Sequence, residues 1–420
     1  MRILCIGAGG VGGAAAGIAA RRSFFEAAAR RSFFEAFIVA DYDVARAQSV
    51  VQSIPSDLRQ RFEAVALDAS SRGAVAEAVR RHGITHVFNA VDPRFVMPIF
   101  EGAAEAGATY LDMAMSLSTP HPEVPYQLPG LKLGDLQFEQ SGEWEAAGRL
   151  ALVGMGVEPG LSDVFAAYAQ EFLFSQIDEL AVRDGANLVV EGYDFAPSFS
   201  IWTTIEECLN PPVVYSSERG WRTTEPFSEP EVFDFPEGIG PVECVNVEHE
   251  EVLLMPRWID AKTVNFKYGL GNEFIDVLRV LHKLGLDSTK PVNVKGSLVS
   301  PRDVVAACLP DPATLGPKIT GKTCAGVLVR GIDKEGNPRT TYLYHVADNA
   351  WTMENYASQC VVWQTAINPI IALELLSAGI WTGTGVLGPE AFPSKPFLDL
   401  MAAPEPEGYG SPWHMREQGD

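Results

Sequence analysis

The chain opens on an apolar run, Arg2-Ile-Leu-Cys-Ile6, that meets Gly7-Ala-Gly-Gly-Val-Gly12 and continues at once into an Ala-rich helical pattern. Strand, glycine turn and helix in that order leave few architectures open. Gly7 permits a tight turn, Gly9 lets a pyrophosphate approach the backbone, and Gly12 lets helix and strand pack closely. A glycine-rich turn in any α/β protein can share these letters; here the strand before it and the helix after it both support dinucleotide binding. The diphosphate is expected on the free N–H groups of the helix N-terminus. Gly7, Gly9, Gly10, Val11 and Gly12 are therefore the expected cofactor seat.

The next strand, Phe37-Ile-Val-Ala-Asp41, ends in the acid expected to hold the adenosine ribose, usually about 20 residues beyond the glycines. Asp41 stands 29 residues beyond Gly12. The excess matches a direct repeat: Ala20-Arg-Arg-Ser-Phe-Phe-Glu-Ala-Ala28 is followed by Ala29-Arg-Arg-Ser-Phe-Phe-Glu-Ala-Phe37. One copy reads as an insertion into an ordinary first crossover. The expectation is a neutral duplication at an exposed helix end, since added surface chain costs little. Asp41 would accept from both ribose hydroxyls and repel a 2′-phosphate, which favours NAD. NADP remains open through Arg46, the nearest cation.

Composition excludes several classes of function. A net charge of −22 argues against nucleic acid and anionic membrane surfaces, and suits a cationic substrate such as an amine. No uninterrupted apolar run approaches the roughly 18 residues of a membrane span. The first strand begins at residue 2, which leaves no room for a leader. Six scattered cysteines without a Cys-x-x-Cys pair read as reduced thiols of a cytoplasmic protein, and the seven histidines show no metal-ligand spacing, so no metal is expected.

Strand and helix signals alternate through the N-terminal region: helix 44–54, strand 64–67, helix 72–82, strand 85–90, helix 98–106 and strand 109–112. Asp68 follows the third strand, where such folds contact the adenine edge. Asn89 and Ala90 leave the fourth at the ligand-binding edge of the sheet. This alternation implies a parallel, doubly wound sheet. Farther on, 182–191, 242–254 and 339–345 read as strands, 273–284 as an amphipathic helix and 357–378 as a long apolar helix. From Pro404 the chain is rich in Pro, Glu and Gly and reads as a mobile tail.

Three stretches carry a resemblance: Asn89-Ala-Val-Asp-Pro93, Glu105-Ala-Gly-Ala-Thr-Tyr-Leu-Asp112 and Gly154-Met-Gly-Val-Glu-Pro-Gly-Leu-Ser-Asp163. They resemble the saccharopine dehydrogenase family. The likeness continues through Glu231-Val-Phe-Asp-Phe-Pro236, Ser300-Pro-Arg-Asp-Val-Val305, Leu309-Pro-Asp-Pro312, Thr320-Gly-Lys-Thr-Cys324, Tyr342-Leu-Tyr-His-Val-Ala-Asp348 and Gly385-Val-Leu-Gly-Pro-Glu390. It implies an α/β fold: a Rossmann doubly wound sheet over residues 1–160, an inserted mixed-sheet substrate and dimerisation domain over 161–353, and C-terminal helices over 354–403 that return to the Rossmann domain. The mobile tail would be 404–420, and a homodimer is expected.

The resemblance also implies hydride transfer between nicotinamide and a C–N carbon of an amino acid or polyamine derivative, as in saccharopine, lysine or carboxynorspermidine. A hydride-borrowing transferase of the homospermidine synthase type and a non-catalytic NAD-sensing protein are the alternatives. The nicotinamide is expected where Asn89, Ala90, Met113 and Gly156 converge. Asp112 is the first candidate for proton transfer at nitrogen, with a turn-stabilising aspartate as its structural alternative. Glu158, in a Pro-Gly turn, is the second catalytic candidate. Trp202 would pack on the substrate, and Glu206 or Glu207 would bind a distal ammonium. Lys267 and Tyr268 suit a surface strand better than a carboxylate site, and His345 a satisfied interior histidine.

Overall fold

The protein is described by a computed structural model covering residues 1–28 and 32–418, with backbone alone at 23–28. Its first sheet holds β1 (Arg2–Ile6), β2 (Ala36–Asp41), β3 (Phe62–Ala66), β4 (His86–Asn89), β5 (Thr109–Asp112) and β6 (Leu150–Leu152), with Gly385–Leu387 as a seventh strand beside β6. Every pairing is parallel, in the order β3-β2-β1-β4-β5-β6. The crossover helices are α1 (Gly10–Ala28), α2 (Val44–Ser53), α3 (Arg72–His82) and α4 (Val96–Ala106). Helices cover both faces of this sheet, so β1, Ile3 to Ile6, is almost wholly buried rather than alternating. The strand order reverses between β1 and β4, and that reversal opens a crevice at the carboxyl ends of the strands.

A second, nine-stranded mixed sheet is built around β7 (Phe174–Ala186). Ala261–Gly269 runs parallel to β7 on one side and Lys322–Asp333 antiparallel on the other. Beyond the latter lie Pro338–Asp348 and His414–Glu417. The stretch expected as strand over 242–254 divides in the structure. Gly240–Asn246 pairs in the sheet, whereas Glu251–Trp258 is a helix whose residues 251–255 are all buried. The polar run Glu248-His-Glu-Glu251 interrupts the apolar pattern of this stretch and marks the point where strand gives way to helix.

The C-terminal region returns to the first sheet. The helix Cys360–Ser377 packs along α1, with the Glu374 carboxylate 2.8 Å from the Arg22 guanidinium, and Gly385–Leu387 joins β6. That helix is long and apolar enough to cross a bilayer, yet 78% of it is buried inside the protein, where Asn368 and Gln364 find internal partners.

Two expectations need correction here. The segment from Pro404 is not a loose tail: Tyr409 is buried, and His414–Glu417 hydrogen-bonds to Pro338–Asp348 as an antiparallel strand. The nine-residue duplication is likewise no neutral appendage, although residues 29–31 within it lie outside the described residues. Its first copy supplies Arg21 and Arg22, which bind Glu405 and Glu374 at 2.8 Å and lie over the rings of Tyr356 and Tyr409. Its second copy supplies Phe33 and Phe34, both buried; Phe34 stands edge-on to Phe37 and Phe62 at 5.8 and 5.7 Å. Among the described side chains, the first copy packs through its arginines and the second through its phenylalanines.

Candidate active site

The crevice is walled on one side by the glycine turn and the ends of β4 and β5. The other wall comes from the second sheet and its helices. In the turn, a Cβ on Gly12 would stand 1.9 Å from the Gly7 carbonyl oxygen, so no other residue fits; at Gly9 the corresponding position is open. That open face beside the N-terminus of α1 fits the diphosphate of a dinucleotide. Asp41 is buried at the end of β2, its Oδ2 accepting from the Ala8 N–H at 2.9 Å and its Oδ1 from the Asp43 N–H at 3.0 Å. It therefore ties the glycine turn to the neighbouring strand end. Arg46 turns away toward Asp311, at 4.0 Å. Asp68 is exposed and accepts from both the N–H and the hydroxyl of Ser70, which makes it a turn residue before α3.

Of the residues singled out in the sequence, Gly10, Val11, Asn89, Ala90, Asp112, Met113, Glu158, Glu207 and Tyr268 line the cleft; Tyr268 does so from an interior strand, not the surface strand expected. Gly156 lies just behind Met113, whose carbonyl oxygen a Cβ at that position would approach. The Asn89 amide is held by the Tyr110 hydroxyl at 3.0 Å and the Val91 N–H at 3.1 Å. Asp112 is fully buried; its Oδ1 accepts from the Gly154 N–H at 2.7 Å and its Oδ2 from the Gln137 amide at 2.8 Å. Burial raises its carboxyl from 3.8 to about 7, against those two hydrogen bonds. Glu158 hydrogen-bonds the Ser162 hydroxyl, and its other oxygen, without a partner of its own, lies near the Glu251 carboxyl.

Trp202 and Glu206 fall outside the cleft. The Trp202 ring lies between the guanidiniums of Arg94 and Arg302, 4.2 and 4.7 Å from its centroid. Glu206 forms an ion pair with Arg302 and accepts from the Asn210 amide at 3.1 Å. The aromatic does stack on cations and the glutamate does bind one, but these cations are the protein's own. Lys267 is ion-paired to Glu231 at 2.8 Å, and His345 is enclosed between Ser411 and Gln364 at 2.7 and 2.9 Å.

The sequence reading missed His249, Glu250 and Glu251, which lie in the segment taken for strand. His249 Nδ1 lies 2.5 Å from Glu251 Oε2 and 3.5 Å from Glu250 Oε2, and its ring stacks on Phe266 with centroids 3.9 Å apart. The ligand atoms of these three residues fall within 4.8 Å, but Nδ1 is already engaged by Glu251, so the group is an ion pair rather than an open ligand set. Burial alone would depress the imidazole; the carboxylates of Glu251, Glu250 and Glu207 override it and hold its pKa at about 10.

Charge in the cleft is one-sided. Asp92 and Asp311 at its rim have arginine partners; among the described residues Asp112, Glu158, Asp184, Glu207 and Glu250 inside have no arginine or lysine partner, and Glu250 faces His249. Burial lifts all five, Asp184 to about 7 and Glu207 to about 8. Among the described lining residues His249 is the one basic group. Positive charge brought into such a cavity would favour the ionised carboxylates.

Comparison with known proteins agrees with this arrangement. The profile of the saccharopine dehydrogenase NADP binding domain matches residues 3–152, and that of the saccharopine dehydrogenase C-terminal domain residues 156–404. Carboxynorspermidine synthase of Vibrio alginolyticus is 30% identical, the alignment covering 99% of this chain and 97% of the relative. Carboxyaminopropylagmatine dehydrogenase of Synechocystis is 27% identical over 98% of this chain and 97% of its own length. Among solved structures, apo saccharopine dehydrogenase (L-Glu forming) of Saccharomyces cerevisiae shares the fold across 100% of both chains, with a TM-score of 0.64 at 13% identity. The chain belongs to the saccharopine dehydrogenase family, and it is an NAD(P)-dependent oxidoreductase.

Proposed function

We propose that this enzyme moves a hydride between a nicotinamide cofactor and the carbon of a C–N bond in a carboxylated polyamine. The observation that carries this reading is the set of five interior carboxyls beside the dinucleotide crevice, with His249 as the one basic group among the described residues that line it. The printed names of the relatives, a carboxynorspermidine synthase and a carboxyaminopropylagmatine dehydrogenase, describe the same chemical class. We favour NAD as the cofactor, because buried Asp41 would repel a 2′-phosphate and Arg46 points elsewhere.

The bound cofactor supplies the hydride donor or acceptor. Asp112, poised near neutrality, gives a proton to the substrate nitrogen or takes one from it. Gln137 and the Gly154 N–H hold its two oxygens in place, so the proton moves at a fixed point. Asn89 and Met113 border the ring site, and Glu158, Asp184 and Glu207 receive the remaining ammonium groups. We place the domain boundary near residue 160, where β6 and the Glu158 turn give way to the segment leading into the second sheet.

The test offers NAD and NADP separately to the purified enzyme with carboxynorspermidine, saccharopine, lysine, ornithine or putrescine, and follows absorbance of the reduced cofactor. Reduction of NAD with carboxynorspermidine is expected. Asp112→Asn should lower kcat/KM by about 10²–10⁴-fold while cofactor binding by fluorescence is retained. Reduction by none of the amines, with cofactor still bound, would overturn the reading.

A further inference from the structure

Resting on the amine reading above, we infer that His249 is the seat for the carboxylate of the substrate and thereby selects carboxylated amines over plain ones. Five interior carboxyls suit ammonium groups, but an amine that also carries a carboxylate needs one cationic partner among them. His249 is the one basic side chain among the described residues that line the cleft. It is 4% exposed, its Nδ1 is committed to Glu251, and its Nε2 has no protein partner among the described residues. Phe266, stacked at 8° to the imidazole, fixes the plane of the ring. Nε2–H is thus a donor held rigid on a wall of the cavity, with Glu251 keeping the ring charged from behind.

The neighbouring groups divide the work. Glu250, Asp184 and Glu207 surround His249 and would repel a lone anion, so a simple carboxylic acid gains nothing by entering. A molecule bearing ammonium and carboxylate groups together satisfies both sets of charges. The cleft therefore discriminates on charge pattern rather than on net charge.

Binding is measured with reduced cofactor present, so that no hydride can leave the amine. The probes are ornithine, its decarboxylated counterpart putrescine, and ornithine methyl ester, in which the anion is masked. The wild-type complex is expected to bind ornithine about tenfold more tightly than either of the others, as for one hydrogen bond between charged groups. His249→Gln should bring the three within about threefold of one another, and His249→Lys should restore part of the preference.

Retention of the ornithine preference by His249→Gln would overturn the inference and leave the amine reading intact. Equal wild-type affinity for ornithine, its ester and putrescine would do the same, and needs no variant to fold. Equal weakening of all three probes, or of cofactor binding alone, would assign His249 a structural or cofactor role instead. Failure of the wild type to bind any of the three would overturn the inference, while reduction of cofactor with carboxynorspermidine decides the amine reading separately.

Discussion

At the scale of single residues, a place on the cleft wall follows from local pattern for some side chains and from distant packing for others. Asn89, Asp112 and Glu158 sit on strand ends or in a Pro-Gly turn, where local pattern and the sheet's ligand edge coincide. Trp202, Glu206 and Glu207 lie on one helix, Ile201–Leu209, whose orientation depends on the distant Arg94 and Arg302. Of these three, Glu207 alone reaches the cleft. His249 escaped notice because a histidine among Glu248, Glu250 and Glu251 reads as a solvated acidic stretch until the fold buries it against Phe266. Trp202 is accordingly a structural residue. Trp202→Ala should lower stability by about 3–5 kcal/mol, the usual cost of emptying a large buried site. Chemical denaturation would measure the loss, and kcat of the protein still folded should stay within about twofold of the wild type. A large fall in kcat with stability unchanged would return Trp202 to the substrate.

At the scale of elements, β1 to β5 and the helices between them were legible within a few residues, because apolar run and helical period alternate cleanly there. The long apolar helix was legible as well, and is found at Cys360–Ser377; the segment after Pro404 was not, since composition alone does not show what a strand pairs with. Pro, Glu and Gly dominate after Pro404, yet the segment carries Tyr409 into the core and Glu405 to Arg21, and its last strand lies against Pro338–Asp348. It also supplies carbonyls of Pro406 and Gly408 to the Arg22 guanidinium at 2.5 and 3.1 Å. Removing residues 404–420 should therefore destabilise the protein by at least about 3 kcal/mol, since a buried arginine loses partners and a buried aromatic is lost. A thermal melt of the truncated chain that matched the full-length protein would refute this.

At the scale of the whole molecule, a strongly acidic composition does not reveal how many carboxyls converge in one place. That convergence ties stability to pH. Asp112 and Asp184 rise from 3.8 to about 7, Glu207 from 4.5 to about 8, and His249 from 6.5 to about 10. Each group binds its proton more tightly folded than unfolded, so raising pH from 6.5 to 9 strips protons preferentially held by the folded state. Stability must fall over that window; His345, depressed to about 3, titrates below it. Tm of the ligand-free protein should drop on the order of 5 °C between pH 6.5 and 9, and saturating polyamine should reduce the drop. A flat or rising Tm would contradict the assignment. The strand His414–Glu417 has a last consequence, for behaviour in concentrated solution. Its four residues pair with Thr341–Tyr344 of the strand Pro338–Asp348 and occupy backbone N–H and C=O groups that would otherwise stand open there. Open strand borders recruit other chains, so a protein lacking residues 414–417 should self-associate at lower concentration than the full chain, as light scattering would read.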